Sequence, residues 1–510
     1  MQGIRRVLIS VTDKRGIADL ARGLRAWEVE IVSTGGTAKL LREEGIPVRD
    51  VSDVTGFPEM LDGRVKTLHP KIAGGLLAVR SNADHMRALE EHGIGCIDMV
   101  VVNLYPFEEV AARPGVSFES LIENIDIGGP SMIRAAAKNF QDVAIVVSPD
   151  DYTGVLEEMQ RTGGSLTRDT KWKLACKAFR ATADYDAAIS ARLDRVDAPP
   201  HSLPQVLRLS APKVMDLRYG ENPHQMAALY ATPGTGVAGA QQLHGKELSY
   251  NNLVDLDAAW QLVSEFASPA AAIIKHTNPC GTAEQASLIE AYRKAQECDP
   301  VSAYGGVIGF NRPVDAETAG EIVKTFIEAI VAPDYSPAAL ALLGVKKGLR
   351  LMRVAPGGDP LVVKSISGGF LAQTADRGRL DRTAAAVKTQ RAPTEEEWVA
   401  MEFAWKVAKH VKSNAIVFAR KGQTAGVGAG QMSRVDSVKI AAMKAVLPLA
   451  GTVVASDAFF PFPDGLEEAA KSGATAFIQP GGSVRDAEVI AAADRLGVAI
   501  VFTGMRHFRH

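Results

Sequence analysis

The sequence is poor in cysteine and in long apolar runs. Its 510 residues contain four cysteines, Cys96, Cys176, Cys280 and Cys298, and none of them forms a C-x-x-C pair. Neither a zinc knuckle nor a disulfide framework is indicated, and a reducing, cytoplasmic setting fits best. No stretch reaches the roughly 20 apolar residues of a membrane span, and the segment Met1 to Ser10 lacks the apolar core of a signal peptide. We therefore expect a cytoplasmic protein.

The sequence also lacks an excess of charge of one sign. Lys and Arg total 57 and Asp and Glu total 59, which gives a formal net charge of −2. Nucleic-acid coats and binders of anionic membranes need a basic excess, so neither partner is expected. Hydrophobic residues make up 46% of the chain and charged residues 23%. These values are typical of a globular protein with a substantial core, and the length allows about three domains.

Short apolar runs alternate with segments of helical period in the first part of the chain. They are Val7 to Val11, Val29 to Val32, Met99 to Leu104 and Val143 to Val147. This alternation predicts a parallel α/β sheet. The segment Asp169 to Arg195 contains neither Gly nor Pro. Its apolar residues recur at helical spacing, which predicts a long closing helix.

Prolines between Val196 and Pro212 are typical of an interdomain linker. Apolar runs resume beyond it, and two α/β halves that divide near Gly368 would satisfy the usual limits on domain size. The predicted strands are Ala271 to Ile274, Val307 to Phe310, Ala415 to Phe418, Thr452 to Ala455 and Ala476 to Ile478. We predict domains at residues 1–198, 199–367 and 368–510. No clean linker marks the second boundary.

Two loops at predicted strand ends carry groups that suit a phosphate. One is S-V-T-D-K, Ser10 to Lys14, and the other is S-T-G-G-T, Ser33 to Thr37. Glycines let the backbone approach a ligand closely, and helix amino-terminal amides attract anions. In an open parallel sheet, this edge is where ligands bind. The alternative for S-T-G-G-T is an ordinary turn from strand to helix with a capping Thr.

The segment Gly63 to Pro70, G-R-V-K-T-L-H-P, carries a pair of cations. Pro70 favours an extended conformation in the residue before it, and Arg64 and Lys66 would alternate onto one face of an extended segment. Both cations could then meet one anionic ligand. The alternative is a solvated loop with a basic pair.

The segment Asn124 to Ser131 precedes a predicted helix. Pro130 suits the first turn of that helix, and Arg134 and Lys138 share a face at i, i+4. Upstream, Tyr105 follows an apolar run, where it is either a core ring with a satisfied hydroxyl or a hydrogen-bond donor in a site.

In the second part, Lys275 and His276 end a predicted strand just before Asn278-Pro279. Neighbouring residues on a regular strand face opposite ways, so both reach one site only if the strand breaks there, and the Asn-Pro turn predicts such a break. A His beside a Lys can stay neutral and act as a base near pH 7. The alternative is a hydrogen-bonded His at a strand end.

Two further patterns exclude familiar sites. The pair Pro279-Cys280 suggests a zinc nucleoside deaminase, but that signature needs a second Cys where Ala283 stands, and the sequence has no H-x-E. A catalytic zinc is therefore disfavoured. The glycines between Gly426 and Gly430 lack the G-x-G-x-x-G spacing of a dinucleotide site.

An aromatic cluster near the carboxyl end, Phe459, Phe460 and Phe462, stands beside Asp464. It offers a flat apolar wall next to a carboxylate, as a heterocyclic ligand would need. The alternative is core packing.

Taken in order along the chain, these motifs closely resemble a known family. The series is S-V-T-D-K, S-T-G-G-T, G-R-V-K-T-L-H-P, N-L-Y-P-F, I-D-I-G-G, A-A-A-K-N, L-R-Y-G-E-N-P-H-Q, K-H-T-N-P, A-G-Q-M-S-R and D-A-F-F-P-F. It is similar to the bifunctional purine biosynthesis enzymes, which join aminoimidazole-carboxamide ribonucleotide (AICAR) formyltransferase to inosine monophosphate (IMP) cyclohydrolase. The resemblance runs from residue 5 to residue 510.

The resemblance implies an architecture and a set of ligands. A methylglyoxal-synthase-like cyclohydrolase domain would precede a transformylase of two cytidine-deaminase-like α/β subdomains without zinc, in an intertwined homodimer. The ligands would be AICAR, its formylated product FAICAR, IMP, and 10-formyltetrahydrofolate as cosubstrate, with the folate site across the dimer interface. No catalytic metal is implied, and a monovalent cation is left open. A transformylase with an inactive amino-terminal domain and a decayed nucleotide sensor are the rival interpretations.

The resemblance also implies site residues. Catalytic candidates in the first domain are Lys66, Tyr105, Asp126 and Lys138, and in the second Lys275 and His276. Nucleotide contacts of the first domain would be Thr12, Asp13, Lys14, Thr34, Gly35, Gly36, Thr37, Arg64, Val65, Lys66, Thr67, Asn103 and Asp126. Nucleotide or folate contacts of the second would be Arg218, Tyr219, Tyr304, Gly305, Glu328, Asn414, Arg434, Phe459, Asp464 and Arg506.

Two residues depart from the family pattern. Ala73 stands where the family often has a His, so any role of that His is absent here. Tyr304 replaces a usual Phe, which keeps a stacking ring and adds a hydroxyl that needs a partner. Neither change removes a proposed catalytic group.

Overall fold

The computed structural model describes residues 3–196, 198–199, 202–231, 234–358 and 361–510. The chain divides into two compact units, Met1–Ser210 and Ala211–His510. Part of the predicted linker, Asp197, Pro200 and His201, lies outside the described residues. Ser210, near the end of this linker, belongs to the first unit, and its Oγ donates to Asp184 Oδ1 at 3.0 Å. The predicted domain boundaries themselves stay predictions.

The first unit is built on a parallel sheet of five strands in the order β3-β2-β1-β4-β5. Its central strands are buried on both faces, which is why their sequences read as continuous apolar runs. The sequence predicted four of the five strands. The strands β1 to β5 are Arg6–Ser10, Glu30–Ser33, Arg49–Asp50, Met99–Val102 and Ala144–Val146.

Ten helices accompany this sheet in the described part of the first unit. The predicted closing helix is confirmed as α10, Arg168–Leu193, and Thr167 caps its amino terminus by accepting the Thr170 N–H. Apolar side chains bury both faces of the sheet in two separate clusters. The helices α1 to α10 are Ile17–Arg25, Gly35–Glu43, Val51–Thr55, Pro70–Leu77, Ala83–Glu91, Phe107–Ala111, Phe118–Glu123, Gly128–Lys138, Tyr152–Thr162 and Arg168–Leu193.

In the described residues of the second unit, one mixed sheet has twelve strands, in the order β16-β21-β20-β19-β17-β18-β10-β9-β11-β12-β13-β8, and two small ribbons, β6-β7 and β14-β15, have two strands each. The strands β6 to β21 are Lys213–Leu217, Ala227–Tyr230, Gln241–His244, Ala270–Lys275, Asn278–Glu284, Val307–Phe310, Ala329–Ala332, Arg350–Arg353, Leu361–Ile366, Gly369–Thr374, Ala386–Val387, Ile416–Arg420, Gln423–Gly428, Thr452–Ser456, Ala474–Gln479 and Ala499–Phe502.

The twelve-stranded sheet consists of two halves with the same order of elements. In each half a helix leads into an antiparallel hairpin, and three further strands follow with helices between them. The halves meet where β10 pairs with β18. The helices α11 to α19 are Tyr250–Val263, Leu288–Cys298, Pro300–Ala303, Ala316–Ile322, Pro337–Leu343, Glu395–Ala408, Arg434–Lys444, Pro463–Lys471 and Asp486–Leu496.

This duplication agrees with two α/β halves, and the cytidine-deaminase-like character of each half stays a prediction. Gly368, where the sequence placed the division, lies in the turn of the β14-β15 ribbon with a φ of 82°. In the described part of the chain, no helix is long and apolar enough to cross a membrane.

Candidate active sites

The first candidate site lies at the carboxyl ends of β1, β2 and β4. The strand order reverses between β1 and β4, and open parallel sheets bind ligands at such a reversal. Asn103, just after β4, joins the two loops across it. Its Oδ1 accepts the N–H groups of Thr12 at 2.6 Å and Asp13 at 2.9 Å, and its Nδ2 donates to the Asp13 carbonyl at 3.0 Å. Asn103 therefore shapes the loop around the site.

Two lysine ammonium groups lie over the glycines that begin α2. A Cβ built on Gly35 would lie 3.8 Å from Lys66 Nζ, and one on Gly36 would lie 3.6 Å from Lys14 Nζ. Free helix amides and two cations at one helix amino terminus form a site for a phosphate. The S-T-G-G-T segment therefore carries more than a capped turn.

The two threonines of this segment differ in their roles. Thr34 is the residue before α2, and its side chain makes no capping hydrogen bond. Thr37 is buried, and its hydroxyl accepts the Val11 N–H at 3.2 Å and donates to the Val11 carbonyl at 3.0 Å. Thr37 thus holds the first loop against the second, and its hydroxyl proton is already committed.

The segment that carries Arg64 and Lys66 does not extend as predicted. Residues Leu61–Gly63 make a short 3-10 turn, and Arg64 continues in helical conformation instead of extending. Arg64 forms an ion pair with Glu123, whereas Lys66 points to the glycines. The segment turns instead of extending, and the prediction that both cations meet one ligand stays a prediction. Val65 pairs with Met60 across this turn.

Asp126 and Tyr105 lie together beside this cation. Burial raises the pKa of Asp126, against the lowering effects of the Gly129 N–H, which donates to Oδ1 at 2.8 Å, and of the Lys66 charge. Burial and the Asp126 charge raise the pKa of Tyr105. Groups with perturbed pKa values in a polar cleft suit proton transfer. Thr67 is buried. It lies close to the start of α8, since a Cβ on Gly128 would be 2.9 Å from Thr67 Oγ1.

Lys138 is not part of this group. It is the exposed last residue of the 11-residue helix α8. Asp126 bonds to the opposite end of this helix, at the Gly129 N–H. A helix rises about 1.5 Å per residue, so Lys138 lies about 15 Å along the axis from the Asp126 end. Within this unit, the structure does not bring Lys138 to Lys66, Tyr105 and Asp126.

The second candidate site is a cavity of about 300 Å³ where the two halves of the large sheet meet. Both halves contribute to it, the first through the β9-β10 hairpin and the second through β18 and α17. Its lining residues are Lys275, His276, Asn278, Pro279, Cys280, Cys298, Asp299, Ser302, Gly426, Val427, Ala429, Gln431, Ile440 and Lys444.

Lys275 and His276 reach this cavity because β9 ends between them. The turn is the two-residue loop of His276 and Thr277, with φ values of 52° and 62°. The predicted Asn-Pro turn was wrong. Pro279 lies within β10 opposite Ile274, and a bulge follows it. Two positive-φ residues give the twist that a tight hairpin needs, so the break falls before the proline.

Tyr304 and Gly305 lie close to this turn. Lys275 Nζ donates to the Tyr304 carbonyl at 2.9 Å. The Tyr304 ring is 64% exposed and lies 5.4 Å from the Phe326 ring, centroid to centroid. Gly305 has a φ of 72°, and its N–H donates to the Phe326 carbonyl at 2.8 Å. An exposed ring beside the cavity suits stacking on a planar ligand.

Arg434 and Asn414 form a buried network. Arg434 donates to Asp457 Oδ1 at 2.5 Å, to Ser456 Oγ at 2.7 Å and to Asn414 Oδ1 at 2.7 Å. Asn414 Nδ2 in turn donates to the carbonyl of Gln431, which lines the cavity. These bonds fix the wall of the cavity.

The structure does not place the remaining predicted contacts in the cavity lining. Arg218 stacks on Tyr219, and Arg506 stacks on Phe508. Glu328 pairs with Arg350 at 2.9 Å. Two more predicted contacts also lie outside the lining. Phe459 is 36% exposed, and Asp464 Oδ1 accepts the Gly465 N–H.

Of the aromatic cluster, only Phe460 is a core residue. It is 1% exposed and packs edge-on against Phe477, as the core alternative predicts. Phe459 and Phe462 are exposed enough to contact a ligand.

The sequence alone missed Lys444, Asp299 and Ser302 in the cavity. Lys444 Nζ lies 3.6 Å from Asp299 Oδ2 and donates to Ser302 Oγ at 3.3 Å. The Ser302 bonds and the Lys444 charge lower the pKa of Asp299 despite its burial. In the sequence, Asp299 before Pro300 indicates a helix cap. Nothing in the sequence indicates that Asp299 also lines the cavity. Burial raises the pKa of Cys280, which lines the same cavity, to about 12.

Among the described residues, no group of three or more His, Cys, Asp or Glu side chains is placed to hold a metal ion.

Comparisons with known proteins agree with this arrangement. The family described as AICARFT/IMPCHase bienzyme matches residues 136–444, and the MGS-like domain family matches residues 16–131. The bifunctional purine biosynthesis protein PurH of Desulfitobacterium hafniense is 55% identical over 518 residues, which cover 99% of this chain and 100% of that protein. The protein of the same name from Brucella anthropi is 56% identical over 530 residues, with 99% and 97% covered.

A crystal structure of ForH is 37% identical and covers 37% of this chain and 99% of its own, with a TM-score of 0.34. The family match spans more than half of this chain, and the identity to full-length relatives is high. The chain therefore belongs to the AICARFT/IMPCHase bienzyme family, which confirms the resemblance found in its motifs, including the methylglyoxal-synthase-like first domain.

Proposed function

We propose that this bifunctional enzyme of IMP synthesis divides its two reactions between the two candidate sites. The cavity with Lys275 and His276 would transfer a formyl group to AICAR, and the cluster around Lys66 would close the ring of the product. A transferase of this kind needs a folate cosubstrate, and 10-formyltetrahydrofolate is the one we propose. The observation that carries the proposal is that one cavity is lined by both Lys275 and His276.

In formyl transfer, the 5-amino nitrogen of AICAR attacks the formyl carbon of the folate. His276 removes a proton from the attacking amine, and the bond from the formyl carbon to the folate nitrogen breaks. Lys275 stabilises the developing negative charge on the formyl oxygen or protonates the departing folate nitrogen. Its ammonium is already held by the Tyr304 carbonyl at the cavity edge. The products are FAICAR and tetrahydrofolate.

The folate ring would stack near Phe459 and close to Asp464. Phe459 is exposed, unlike its neighbour Phe460, which supports this assignment. The exposed Tyr304 ring offers a second stacking surface. Outside the cavity lining of one chain lie the predicted contacts Arg218, Glu328, Phe459, Asp464 and Arg506. We propose that they contribute from a second chain in a homodimer.

In ring closure, the carboxamide nitrogen of FAICAR attacks the formyl carbon of the same molecule, and loss of water gives IMP. Because both reacting atoms belong to one molecule, positioning supplies much of the catalysis. The phosphate would lie between Lys14 and Lys66 at the amino terminus of α2. Lys66 and Tyr105 would stabilise the oxyanion, and Asp126 would move the proton. We assign Lys138 no step in this scheme.

A substitution in the cavity tests formyl transfer. We expect His276→Ala to lower the rate of FAICAR formation by about 100-fold or more, since general base catalysis contributes about 10² to 10⁴. Folate affinity should stay intact, because the ring contacts are elsewhere. Transfer at a near wild-type rate in this variant would remove His276 from the mechanism.

A substitution over the glycine loop tests ring closure. We expect Lys66→Met, which keeps the length of the side chain and removes its charge, to slow conversion of FAICAR to IMP by about 100-fold. Formyl transfer in the same variant should be unchanged. Lys39→Met is the matched control, since Lys39 is an exposed lysine of α2 that faces Glu43, and its loss should have a much smaller effect. Equal losses in both variants would contradict the assignment.

A further inference from the structure

The turn that presents His276 is conformationally unfavourable. His276 and Thr277 both adopt positive φ, at 52° and 62°. Residues other than glycine are uncommon in this region, and a β-branched residue such as Thr277 is disfavoured there most strongly. Such a conformation persists only where the surrounding structure determines it. The neighbouring residues must therefore hold this turn in place.

A carboxylate on helix α11 supplies the main support. Asp255 Oδ1 accepts the Thr277 N–H at 2.7 Å. The N–H of the second turn residue is thus held by a side chain of α11. Burial raises the pKa of Asp255, although the bond from the Thr277 N–H and the nearby His276 ring oppose the rise.

The aim of the His276 ring depends on this backbone. The His276 carbonyl accepts hydrogen bonds from Thr277 Oγ1 at 2.7 Å and from Asn278 Nδ2 at 3.1 Å. Within the described part of the chain, no side-chain hydrogen bond is made by the His276 imidazole itself. The ring direction therefore follows from the turn, and the turn is fixed by Asp255.

We propose that Asp255 is a positioning residue for formyl transfer. It clamps the left-handed turn so that the His276 imidazole faces the cavity, and its charge stabilises the imidazolium that forms when His276 takes the proton from the substrate amine. This inference rests on the proposed role of His276 as the base.

The test compares three variants of the full-length protein. Asp255→Asn keeps the size of the side chain but removes its charge, which weakens the hydrogen bond from the Thr277 N–H. His276→Ala reports the proposed function itself. Asp315→Asn is the matched control, because Asp315 accepts the Thr318 N–H at 2.7 Å as the cap of α14. Thermal unfolding followed by circular dichroism shows whether each variant has folded, because the substitutions lie in the second unit and ring closure depends on the first.

We expect Asp255→Asn to lower kcat of formyl transfer by about 10- to 100-fold, with KM for both substrates within about threefold, since a small misplacement of a catalytic group costs up to about 10² in rate. The acid limb of its kcat/KM profile should move to lower pH, because the imidazolium loses a neighbouring negative charge. Asp315→Asn should change neither quantity.

A second substitution separates positioning from general loss of stability. Glycine adopts positive φ freely, so Thr277→Gly in the Asp255→Asn background should recover at least half of the lost rate on a logarithmic scale. If Asp255→Asn alone does not fold, the double variant compared with Thr277→Gly gives the same information.

The outcomes are distinguishable. A loss in His276→Ala together with unchanged kcat and an unchanged pH profile in Asp255→Asn overturns the role of Asp255 and leaves the proposed function standing. Activity retained in His276→Ala overturns the proposed function, and the inference falls with it. A loss in Asp255→Asn that Thr277→Gly does not restore also contradicts the clamp.

Discussion

At the scale of single residues, the site in the first unit depends on space as much as on charge. Gly129 follows Asp126 closely, and a Cβ at this position would lie 2.4 Å from Asp126 Oδ2 and 2.8 Å from a Leu104 methyl carbon. The carboxylate can approach the first turn of α8 only because residue 129 has no side chain. The second glycine of I-D-I-G-G is thus required for steric reasons, in addition to its place at the start of the helix.

Substitution of Gly129 tests this reason. We expect Gly129→Ala to displace the Asp126 carboxylate, to destabilise the first unit by about 1–3 kcal/mol, and to slow ring closure with little effect on formyl transfer. Gly154→Ala is the matched control in helix α9, since nothing lies within 4 Å of a Cβ there. Thermal unfolding and the two activity assays measure both variants. Wild-type ring closure in Gly129→Ala would show that the position of Asp126 does not matter.

Residue partners that are distant in sequence were the least predictable part of the sites. The sequence predicted that Arg64 and Lys66 act as one cationic pair. Nothing in their own segment indicates that Arg64 forms an ion pair with Glu123. Lys444 reaches the transferase cavity from a helix that follows Arg434 and has no motif of its own. Local patterns name the groups that can do chemistry, whereas the tertiary structure decides which of them meet.

At the scale of elements, buried strands were predictable because their apolar runs need burial on both faces. The two-residue strand Arg49–Asp50 was missed, since it is too short and too polar to show any period. The β9-β10 hairpin was only half predicted. Proline usually marks a turn, but here Pro279 lies within β10, and the turn consists of two residues that rarely adopt positive φ.

Beyond the end of helix α16, a buried polar cluster links that helix to the end of the chain. His410 donates from Nε2 to Glu265 Oε1 at 3.2 Å and accepts from Arg509 Nη1 at its Nδ1 at 3.0 Å. Lys409 also donates to Glu265, at 2.9 Å. This arrangement requires a neutral His410, because a proton on Nδ1 would face the Arg509 guanidinium.

This cluster makes the stability of the second unit depend on pH. Burial lowers the pKa of His410 below its usual value near 6.5. The unfolded chain therefore binds a proton at His410 more readily than the folded chain does. The stabilisation from neutral His410 is complete above about pH 6.5 and is lost as the pH falls below that value. The His410 and Lys409 bonds, acting against burial, lower the pKa of Glu265 to about 2, so its contribution is lost only below about pH 4.5.

We expect the urea midpoint of the second unit to fall between pH 7 and pH 5, and His410→Gln to reduce that slope. His92→Gln is the control, since His92 is exposed at the end of α5. Unfolding followed by tryptophan fluorescence at a series of pH values gives the comparison. The same slope in wild type and His410→Gln would exclude His410 as its source.

At the scale of the whole molecule, the order of motifs was enough to identify the family, and the structure adds how the second unit is built. Its two halves repeat one order of elements and meet at the β10-β18 pair, with the cavity of Lys275 and His276 at that junction. The sequence showed two α/β halves but not their equivalence, since no repeated motif marks them. Each half supplies one wall, so neither half alone would form the cavity.

The central claim is that one chain holds two separate sites that act in series. An equimolar mixture of the Lys66→Met and His276→Ala variants tests it most directly, with AICAR and 10-formyltetrahydrofolate as substrates and IMP as the measured product. Each variant alone should produce little IMP. In the mixture, FAICAR released by the first variant should be closed by the intact first unit of the second, so IMP formation should recover well above the sum of the two. A mixture that makes no more IMP than that sum would contradict the claim.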